Sequence, residues 1–199
     1  MTTTVALVLA AGAGRRFGRP KALVRPADEG PTLVESAVAT LRASGIAVVV
    51  VVVGADAETV SPLAASTAAE VVVAADWAEG MGASLRAGLR HLTADTTSPP
   101  PDVALVTLVD LPDVTAEVVT RILAAAGDEG SATLVRAAYD GVPGHPVAIG
   151  REHWAGVSAA AAGDRGARDY LRVTAHHLVE CGDLATGRDV DTLEDLGRG

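Results

Sequence analysis

The sequence is poor in cysteine and in positive charge. Its 199 residues include a single cysteine, Cys181, so no internal disulfide can form. A chain without disulfides fits a cytoplasmic location, which we expect here. Acidic residues outnumber basic ones by 25 to 16, and the formal net charge is −9. Because nucleic-acid binding needs a basic surface, we do not expect DNA or RNA as a partner.

Long hydrophobic runs are also missing. The longest apolar run covers residues 46–53, whereas a membrane-spanning helix needs roughly 18 or more apolar residues. The chain begins Met-Thr-Thr-Thr and lacks the positively charged start of a signal peptide. We therefore expect neither a membrane segment nor a secretion signal.

Lysine is almost absent, and asparagine and glutamine do not occur. Of the 16 basic residues, 15 are arginine and one is Lys21. Alanine, in contrast, fills 39 positions, a skew typical of codon bias. A residue type used once against such a bias marks Lys21 as a candidate functional residue.

The chain does contain an alternation of apolar strands and amphipathic helices. With 49% hydrophobic and 21% charged residues it has the composition of a folded protein, and its length favours a single domain over residues 1–199. Apolar runs of strand length alternate with segments in which apolar residues recur at helical spacing. The predicted strands are 4–10, 46–53, 70–74 and 103–109, and the predicted helices are 32–44, 56–65, 81–92 and 115–126.

This alternation is typical of a Rossmann-like α/β fold, with a mostly parallel sheet and helices on both faces, in three layers. After residue 130 the predicted strands are shorter, so we expect that part of the sheet to be mixed. The remaining predicted elements are a surface loop at 96–101, strands 132–137, 146–149 and 176–180, and helices 152–162, 167–173 and 192–196.

The loops at the carboxyl ends of the strands are where we expect the site, because ligands of such sheets bind there. The first of these loops combines glycines with a high density of positive charge. Glycine lets backbone N–H groups approach phosphate oxygens, and arginine and lysine supply opposing charge, which suits a triphosphate. The glycines are Gly12, Gly14 and Gly18, and the cations are Arg15, Arg16, Arg19 and Lys21.

Two common phosphate-binding loops do not fit this segment. A P-loop ends in Gly-Lys-Ser/Thr, whereas residues 18–22 read Gly-Arg-Pro-Lys-Ala. A dinucleotide-binding loop opens a helix within its glycines and has an acidic residue about 20 positions further on. Pro20 and Pro26 disfavour that helix, and Asp56, the acidic residue after the second strand, is too distant.

The segment at residues 9–21 reads Leu-Ala-Ala-Gly-Ala-Gly-Arg-Arg-Phe-Gly-Arg-Pro-Lys. It resembles the signature of the MobA-like nucleotidyltransferases, the family of the molybdenum cofactor cytidylyl- and guanylyltransferases. The resemblance implies a nucleotidyltransferase fold whose first loop holds the triphosphate. It also implies that Arg16 and Lys21 stabilise charge on the α-phosphate and on the departing pyrophosphate. The implied nucleotide-binding residues of this segment are Leu9, Ala10, Ala11, Gly12, Gly14, Arg16 and Lys21.

Ala11 separates two branches of this resemblance. The cytidylyl branch usually reads Leu-Ala-Ala-Gly, and the guanylyl branch reads Leu-Ala-Gly-Gly. This chain has the first form at residues 9–12, so the resemblance implies CTP as the nucleotide donor.

Two later acidic motifs are similar to motifs of the same family. Asp110 follows the fourth strand in Val-Asp-Leu-Pro, where a carboxylate can bind Mg²⁺ together with substrate phosphates. Asp191 lies in Asp-Val-Asp-Thr-Leu-Glu-Asp, in which Leu193 replaces the usual proline. We expect Mg²⁺ as the cofactor, Asp110 in a catalytic and metal-binding role, and Asp191 as a second metal ligand. A helix-capping role is the alternative for Asp191, and nearby Asp113 is expected to be solvated.

Three further segments match the family in the same order. Residues 77–85 resemble its nucleoside-binding turn. Gly-His-Pro-Val at 144–147 is similar to a segment beside the acceptor, which implies an acceptor-side role for His145. Residues 163–168 resemble another family segment, for which a helix cap with solvated charges is the alternative. The candidate nucleotide-binding residues of the segment at 77–85 are Gly80, Gly82 and Ser84.

The sequence thus predicts nucleotidyl transfer, in which a phosphorylated acceptor attacks the α-phosphate of an NTP and pyrophosphate leaves. The resemblance implies CTP as donor, molybdenum-loaded molybdopterin as acceptor and a molybdenum hydroxylase as downstream partner. The alternatives are a guanylyl- or sugar-1-phosphate nucleotidyltransferase, and a non-catalytic module that binds and delivers a cofactor. A nicotinamide oxidoreductase is disfavoured, because the first loop lacks the dinucleotide-binding pattern.

Overall fold

The computed structural model describes residues 2–27, 29–94, 99–127, 129–192 and 195. Most of the predicted turn at 192–196 and part of the predicted loop at 96–101 lie outside these residues, as does Leu193. Among the described residues, no helix is both long and apolar enough to cross a lipid bilayer.

The described residues form a seven-stranded sheet at the centre of the molecule. Its strands are β1 (Thr4–Ala10), β2 (Val48–Val53), β3 (Glu70–Val73), β4 (Val103–Leu108), β5 (Leu134–Tyr139), β6 (Val142–Gly150) and β7 (His177–Glu180). Their spatial order is β3-β2-β1-β4-β6-β5-β7, and β6 runs antiparallel to both of its neighbours while the other pairs are parallel. The predicted mostly parallel sheet with a mixed later part is confirmed.

Helices cover both faces of this sheet. Those that the structure describes are α1 (Leu33–Ala43), α2 (Ala57–Ser66), α3 (Met81–Ala94), α4 (Ala116–Ala126), α5 (Arg151–Ala160) and α6 (Arg168–Val173). Helices α1, α2 and α4 pack on one face, and α3, α5 and α6 pack on the other. The arrangement confirms the predicted three-layer α/β architecture.

Local sequence explains where the early elements begin. β2 consists of six valines, and its last five residues are buried, because the strand lies inside the sheet with helices on both faces. It begins at Val48, two residues later than predicted. At the start of α1, the Thr32 hydroxyl accepts a hydrogen bond from the Glu35 N–H, and the Glu35 carboxylate accepts one from the Thr32 N–H at 2.7 Å. This capping box ends the first loop and begins the helix.

A tight hairpin lengthens β6 beyond the predicted strand at 146–149. Asp140 and Gly141 join β5 to β6 with φ angles of 51° and 77°, as a two-residue turn of this kind requires. In the antiparallel ladder Val147 lies opposite Val106 of β4. His145 therefore lies near the carboxyl end of β4, at the edge of the sheet where β1 also ends.

Candidate active site

A cavity of about 380 Å³ opens at the carboxyl ends of β1 and β4. It is formed by the loop after β1, the turn that leads into α3, and the residues that follow β4. This is the edge at which parallel sheets bind ligands. The predicted site residues that line the cavity are Leu9, Ala10, Ala11, Gly12, Gly14, Lys21, Gly80, Ser84 and Asp110.

The loop after β1 presents backbone N–H groups to the cavity. Gly14 has a φ angle of +57°, and a Cβ atom there would overlap the carbonyl oxygen of Arg19, so the turn requires glycine. The Gly14 carbonyl accepts a hydrogen bond from the N–H of Phe17 at 2.9 Å, which closes the turn. The N–H groups of Gly12, Ala13 and Gly14 donate no hydrogen bond to any residue that the structure describes. These three donors are therefore available to phosphate oxygens.

Lys21 lies between two carboxylates beside this loop. Its Nζ donates to Oδ2 of Asp110 at 2.7 Å and to Oδ1 of Asp191 at 2.8 Å. The guanidinium of Arg16 also donates to Asp191. The side chains of Lys21 and Asp110 are only 18% and 15% exposed, whereas that of Arg16 is 72% exposed. The structure thus brings the predicted catalytic and metal-binding side chains into one charged cluster.

Both partners in the Lys21–Asp191 contact have shifted pKa values. Burial alone would lower the pKa of Lys21, but the hydrogen bonds that it donates to Asp110 and Asp191 raise it above its ordinary value of 10.5. The hydrogen bond from Lys21 lowers the pKa of Asp191 below 3.8, and the charges of Lys21 and Arg16 act in the same direction. At neutral pH the lysine is therefore protonated and the Asp191 carboxylate is ionised.

The segment after β7 places Asp191 in this cluster. The backbone N–H of Val190, which is buried, donates to the carbonyl oxygen of Asp110 at 2.9 Å. Further back, Oδ2 of Asp113 accepts hydrogen bonds from the N–H and the hydroxyl of Thr186, at 2.6 and 2.5 Å, and from the N–H of Gly187 at 3.2 Å. The prediction of a solvated Asp113 is wrong, because this carboxylate anchors the segment that carries Asp191.

The carboxylates of the cluster fit a magnesium ion that is held partly by its substrate. Oxygens of Asp110 and Asp191 both lie within 2.8 Å of the same Lys21 nitrogen, so the two carboxylates lie side by side with the ammonium between them. Over the described ranges, no group of three or more His, Cys, Asp or Glu side chains is arranged to hold a metal. Mg²⁺ usually takes one or two carboxylates and completes its shell with phosphate oxygens and water. The pair suits that ion.

The turn before α3 packs tightly against residues 161–164. A Cβ atom at Gly80 or at Gly82 would collide with the backbone of this segment. Arg86 donates to the carbonyl oxygen of Ala161 at 2.6 Å and strengthens the contact. Gly80 lines the cavity, whereas Gly82 is buried under Ala161 and is not part of the cavity wall.

This region also lines the cavity with Ala78, Met81 and two larger polar or aromatic side chains that were not predicted as site residues, Trp77 and Asp164. Trp77 precedes α3, and Asp164 lies in the segment that covers its first turn. Trp77 also packs against the core on the α3 face of the sheet. The family-like pattern at 163–168 is the signal that could have identified Asp164.

His145 lies on β6 and is not part of the cavity wall. Burial lowers the pKa of His145 to about 4, and the charges of Arg136 and Arg168 act in the same direction. The hydroxyl of Tyr139 donates to the His145 carbonyl oxygen at 2.6 Å and holds the strand. The imidazole is therefore uncharged at neutral pH, and its acceptor-side role stays a prediction.

Comparison with known families identifies the family of this chain. Residues 6–180 match the MobA-like NTP transferase domain, a range that includes the first loop, Lys21 and Asp110. The chain belongs to the MobA-like NTP transferase family. It is accordingly a nucleotidyltransferase whose substrates are a nucleoside triphosphate and an acceptor.

Relatives of this MobA-like chain agree in fold over nearly its whole length. It is 37% identical over 202 residues to nicotine blue oxidoreductase of Paenarthrobacter nicotinovorans, across 96% of this chain and 94% of the relative. The solved Rv0371c homologue from Mycobacterium sp. strain JC1 superposes with a TM-score of 0.80 at 26% identity, across 98% and 93% of the two chains. Rv0371c of Mycobacterium tuberculosis, solved in complex with manganese, gives a TM-score of 0.72 at 25% identity, across 99% and 97%.

The comparisons confirm the family and the nucleotidyltransferase fold that the first loop predicted. Asp191 lies beyond the matched residues, so its assignment rests on its contact with Lys21. The family match therefore covers the first loop, Lys21 and Asp110, whereas the placement of Asp191 in the site of this MobA-like chain rests on the geometry alone.

Proposed function

We propose that this MobA-like transferase moves CMP from CTP onto a phosphorylated acceptor, molybdenum-loaded molybdopterin, and releases pyrophosphate. The observation that carries the proposal is the position of Lys21, which joins Asp110 and Asp191 beside a loop with three available N–H donors. Transfer at an α-phosphate needs such a combination of phosphate donors and concentrated charge.

We propose that the chain acts by positioning the acceptor and the nucleotide and by neutralising charge. An oxygen of the acceptor phosphate forms a bond to the α-phosphorus, the bond to the β-phosphate breaks, and pyrophosphate leaves with the electron pair. The acceptor oxygen is already anionic, so the attack needs no general base. The N–H groups of Gly12, Ala13 and Gly14 hold phosphate oxygens of the nucleotide.

Lys21 and Arg16 supply the positive charge at the reacting phosphate. An ammonium has three donors, and Asp110 and Asp191 engage two of those on Lys21, which leaves one for an α-phosphate oxygen. Arg16 is exposed and can rotate towards the departing pyrophosphate. Such donors contribute most when they face an atom on which charge develops in the transition state.

Asp110 and Asp191 are the residues that would hold Mg²⁺. When bound, this ion supplies charge neutralisation between the phosphates. A divalent cation is supported by the manganese complex of the related Rv0371c, although that finding concerns the relative and a different ion.

The donor and the acceptor are assigned to opposite sides of the cluster. Ala11 favours CTP by resemblance, and we assign nucleoside contacts to Gly80 and Ser84, which line the cavity, whereas Gly82 supports the turn through its packing on Ala161. We assign the acceptor to the side of His145, where a neutral imidazole can donate or accept a hydrogen bond. A molybdenum hydroxylase is the proposed recipient of the finished cofactor.

A second candidate function follows from the name of one relative. Nicotine blue oxidoreductase is 37% identical to this chain over almost all of both proteins, so an oxidoreductase activity on nicotine blue is a specific alternative. The first loop lacks the dinucleotide-binding pattern, so this alternative would need another mode of cofactor binding. Oxidation of NADH in the presence of nicotine blue, followed by absorbance, tests this alternative directly.

Pyrophosphate release tests the main proposal. The protein is incubated with Mg²⁺ and each of the four NTPs, with and without molybdenum-loaded molybdopterin. We expect release with CTP, dependent on the pterin. Preference for GTP would move the chain to the guanylyl branch, and nucleotide binding without release under every condition would favour the non-catalytic module. NADH oxidation that depends on nicotine blue, without pyrophosphate release, would replace the proposal with the oxidoreductase.

A further inference from the structure

A second concave surface lies beyond His145, and three of its seven lining residues are arginines. We call it the arginine groove; it encloses about 420 Å³, and its lining includes Arg136, Arg168 and Arg172 together with Leu171 and Leu178. Arg136 comes from β5, and the other two arginines come from α6. The groove is thus built by the later part of the sheet and the short helix that covers it.

The positive charge of this groove is poorly compensated. Neither Arg136 nor Arg168 forms an ion pair with any carboxylate of the described residues. Arg172 has one at 3.4 Å, to Asp169, but Asp169 also pairs with Arg165. Like charges held together without a counter-ion leave a field that attracts an anion.

Arg136 is held in place by the strand beside it. Its Nε donates to the carbonyl oxygen of Gly144 at 3.0 Å, and its Nη2 donates to that of Pro143 at 3.1 Å. Burial lowers the pKa of Arg136, and the neighbouring charge of Arg168 acts in the same direction. One guanidinium is therefore positioned in advance, while Arg168 is exposed and able to approach a ligand.

The groove and the nucleotide cavity lie on the same face of the sheet. In the β5–β6 ladder Arg136 pairs with Val147, which packs in the core beneath α3 and α5, on the side that holds the cavity. Asp164 lines the cavity and Arg168, four residues later, lines the groove. His145 lies between them, close enough to Arg136 and Arg168 for their charges to lower its pKa.

We propose that the arginine groove binds an anionic group of the acceptor, remote from the phosphate that attacks the nucleotide. The inference rests on the proposed function for the identity of the acceptor. Arginine pairs hold carboxylate or phosphate oxygens through parallel hydrogen bonds, so the groove selects acceptors with a second anionic end. Arg168 acts as a binding residue, and His145 separates the groove from the reacting phosphate.

Binding of small anions tests the groove independently of catalysis. Protein saturated with Mg²⁺ and a non-hydrolysable CTP analogue is titrated with inorganic phosphate and, separately, with acetate. The arginine Nε–H signals are followed by NMR, with those of Arg136 and Arg168 assigned from Arg136→Lys and Arg168→Lys. We expect saturable shifts of both signals, and the stronger anion indicates whether a phosphate or a carboxylate is preferred. Linear, unsaturable shifts would contradict the groove as a site.

Arg168→Ala and Arg90→Ala form a matched pair for this titration. Both arginines are exposed, so both variants should fold, and Arg90 lies on α3 away from the groove lining. Arg168→Ala should abolish saturation at the Arg136 signal, whereas Arg90→Ala should retain it. Saturation that persists in Arg168→Ala would overturn the assignment.

Kinetics then connect the groove to the acceptor. Arg168→Ala should raise KM for the acceptor by roughly 10-fold or more, as expected for a lost charge-assisted hydrogen bond, without changing KM for CTP. Arg168→Lys should restore part of the effect. If the wild type transfers no nucleotide, the proposed function fails while the titration still decides the groove. If transfer proceeds and Arg168→Ala leaves the acceptor KM unchanged, the groove inference fails alone.

Discussion

Lys21 forms ion pairs with both carboxylates of the charged cluster, those of Asp110 and Asp191. It is the only lysine in the chain, and it neutralises two carboxylates at once. Its removal would leave Asp110 and Asp191 facing each other without their shared cation. Arginine cannot replace it simply, because a planar guanidinium has a different shape and reach from a compact ammonium.

Lys21→Ala should lower turnover by about 100-fold or more, in line with the loss of one donor to transition-state charge. Pyrophosphate release gives the rate, and circular dichroism checks that the variant is folded. Arg25→Ala is the control, since Arg25 is a partly exposed cation of the same loop that pairs with Glu35 instead. Turnover of Lys21→Ala within threefold of wild type would remove Lys21 from the reaction.

At the scale of elements, two glycines of the loop after β1, Gly12 and Gly14, differ in the space available for a side chain. A Cβ at Gly14 would overlap the Arg19 backbone, whereas no atom lies within 4 Å of a Cβ at Gly12. Gly14→Ala should therefore lower both thermal stability and CTP affinity. Gly12→Ala should keep the wild-type Tm and lose CTP affinity alone, because its methyl group would add bulk to the cavity wall. Calorimetry measures both quantities, and unchanged CTP affinity in Gly12→Ala would show that this loop does not hold the phosphates.

The segment after β7 depends on Asp113 for its position. Asp113→Ala removes the acceptor of three hydrogen bonds and should let Asp191 move away from Lys21. Misplacement of this kind should lower kcat by roughly 10-fold to 100-fold, with little change in CTP affinity. Asp189→Ala, an exposed change in the same segment, is the matched control. Equal kcat in the two variants would contradict the anchoring role.

Glu180, at the end of β7, binds the hairpin between β5 and β6. This contact should make the stability of the protein depend on pH in the acid range. Its carboxylate accepts hydrogen bonds from the N–H groups of Asp140, Gly141 and Gly182, and these hold the pKa of Glu180 below its ordinary value of 4.5. A lowered pKa contributes stability above 4.5 that is lost as the pH falls through the folded-state value.

Glu180→Gln should be less stable than wild type at neutral pH and should lose less stability in acid. Urea unfolding at neutral pH and at several values below 4.5 measures the difference. Glu58→Gln on α2 serves as the control, since Glu58 is an exposed glutamate outside the hairpin. Parallel pH profiles for wild type and Glu180→Gln would contradict the role of this carboxylate.

The elements that sequence predicts best are those whose information is local. The valine run of β2 and the helical spacing of apolar residues in α1 are contiguous patterns, and both elements are found close to where they are predicted. β6 is longer than predicted because the Asp-Gly turn at residues 140–141, which is also a local signal, places Val142 at the start of the strand.

At the scale of the whole molecule, the site combines one contiguous loop with distant contributions. The loop and Asp110 could be predicted because each follows a strand that ends at the same edge of the sheet. The Asp113 anchor and the arginine groove could not, because each depends on contacts between segments far apart in sequence. Spacing along the chain carries no information about such contacts until the fold is known.

The fate of the α-phosphate tests the central claim most directly. CTP labelled at either the α- or the γ-phosphate is incubated with the protein, Mg²⁺ and molybdenum-loaded molybdopterin, and the products are separated. We predict that the α label appears in the acceptor and the γ label in pyrophosphate, and that Lys21→Ala loses both. Recovery of both labels in unchanged CTP, or of the γ label as free phosphate, would contradict nucleotidyl transfer to this acceptor.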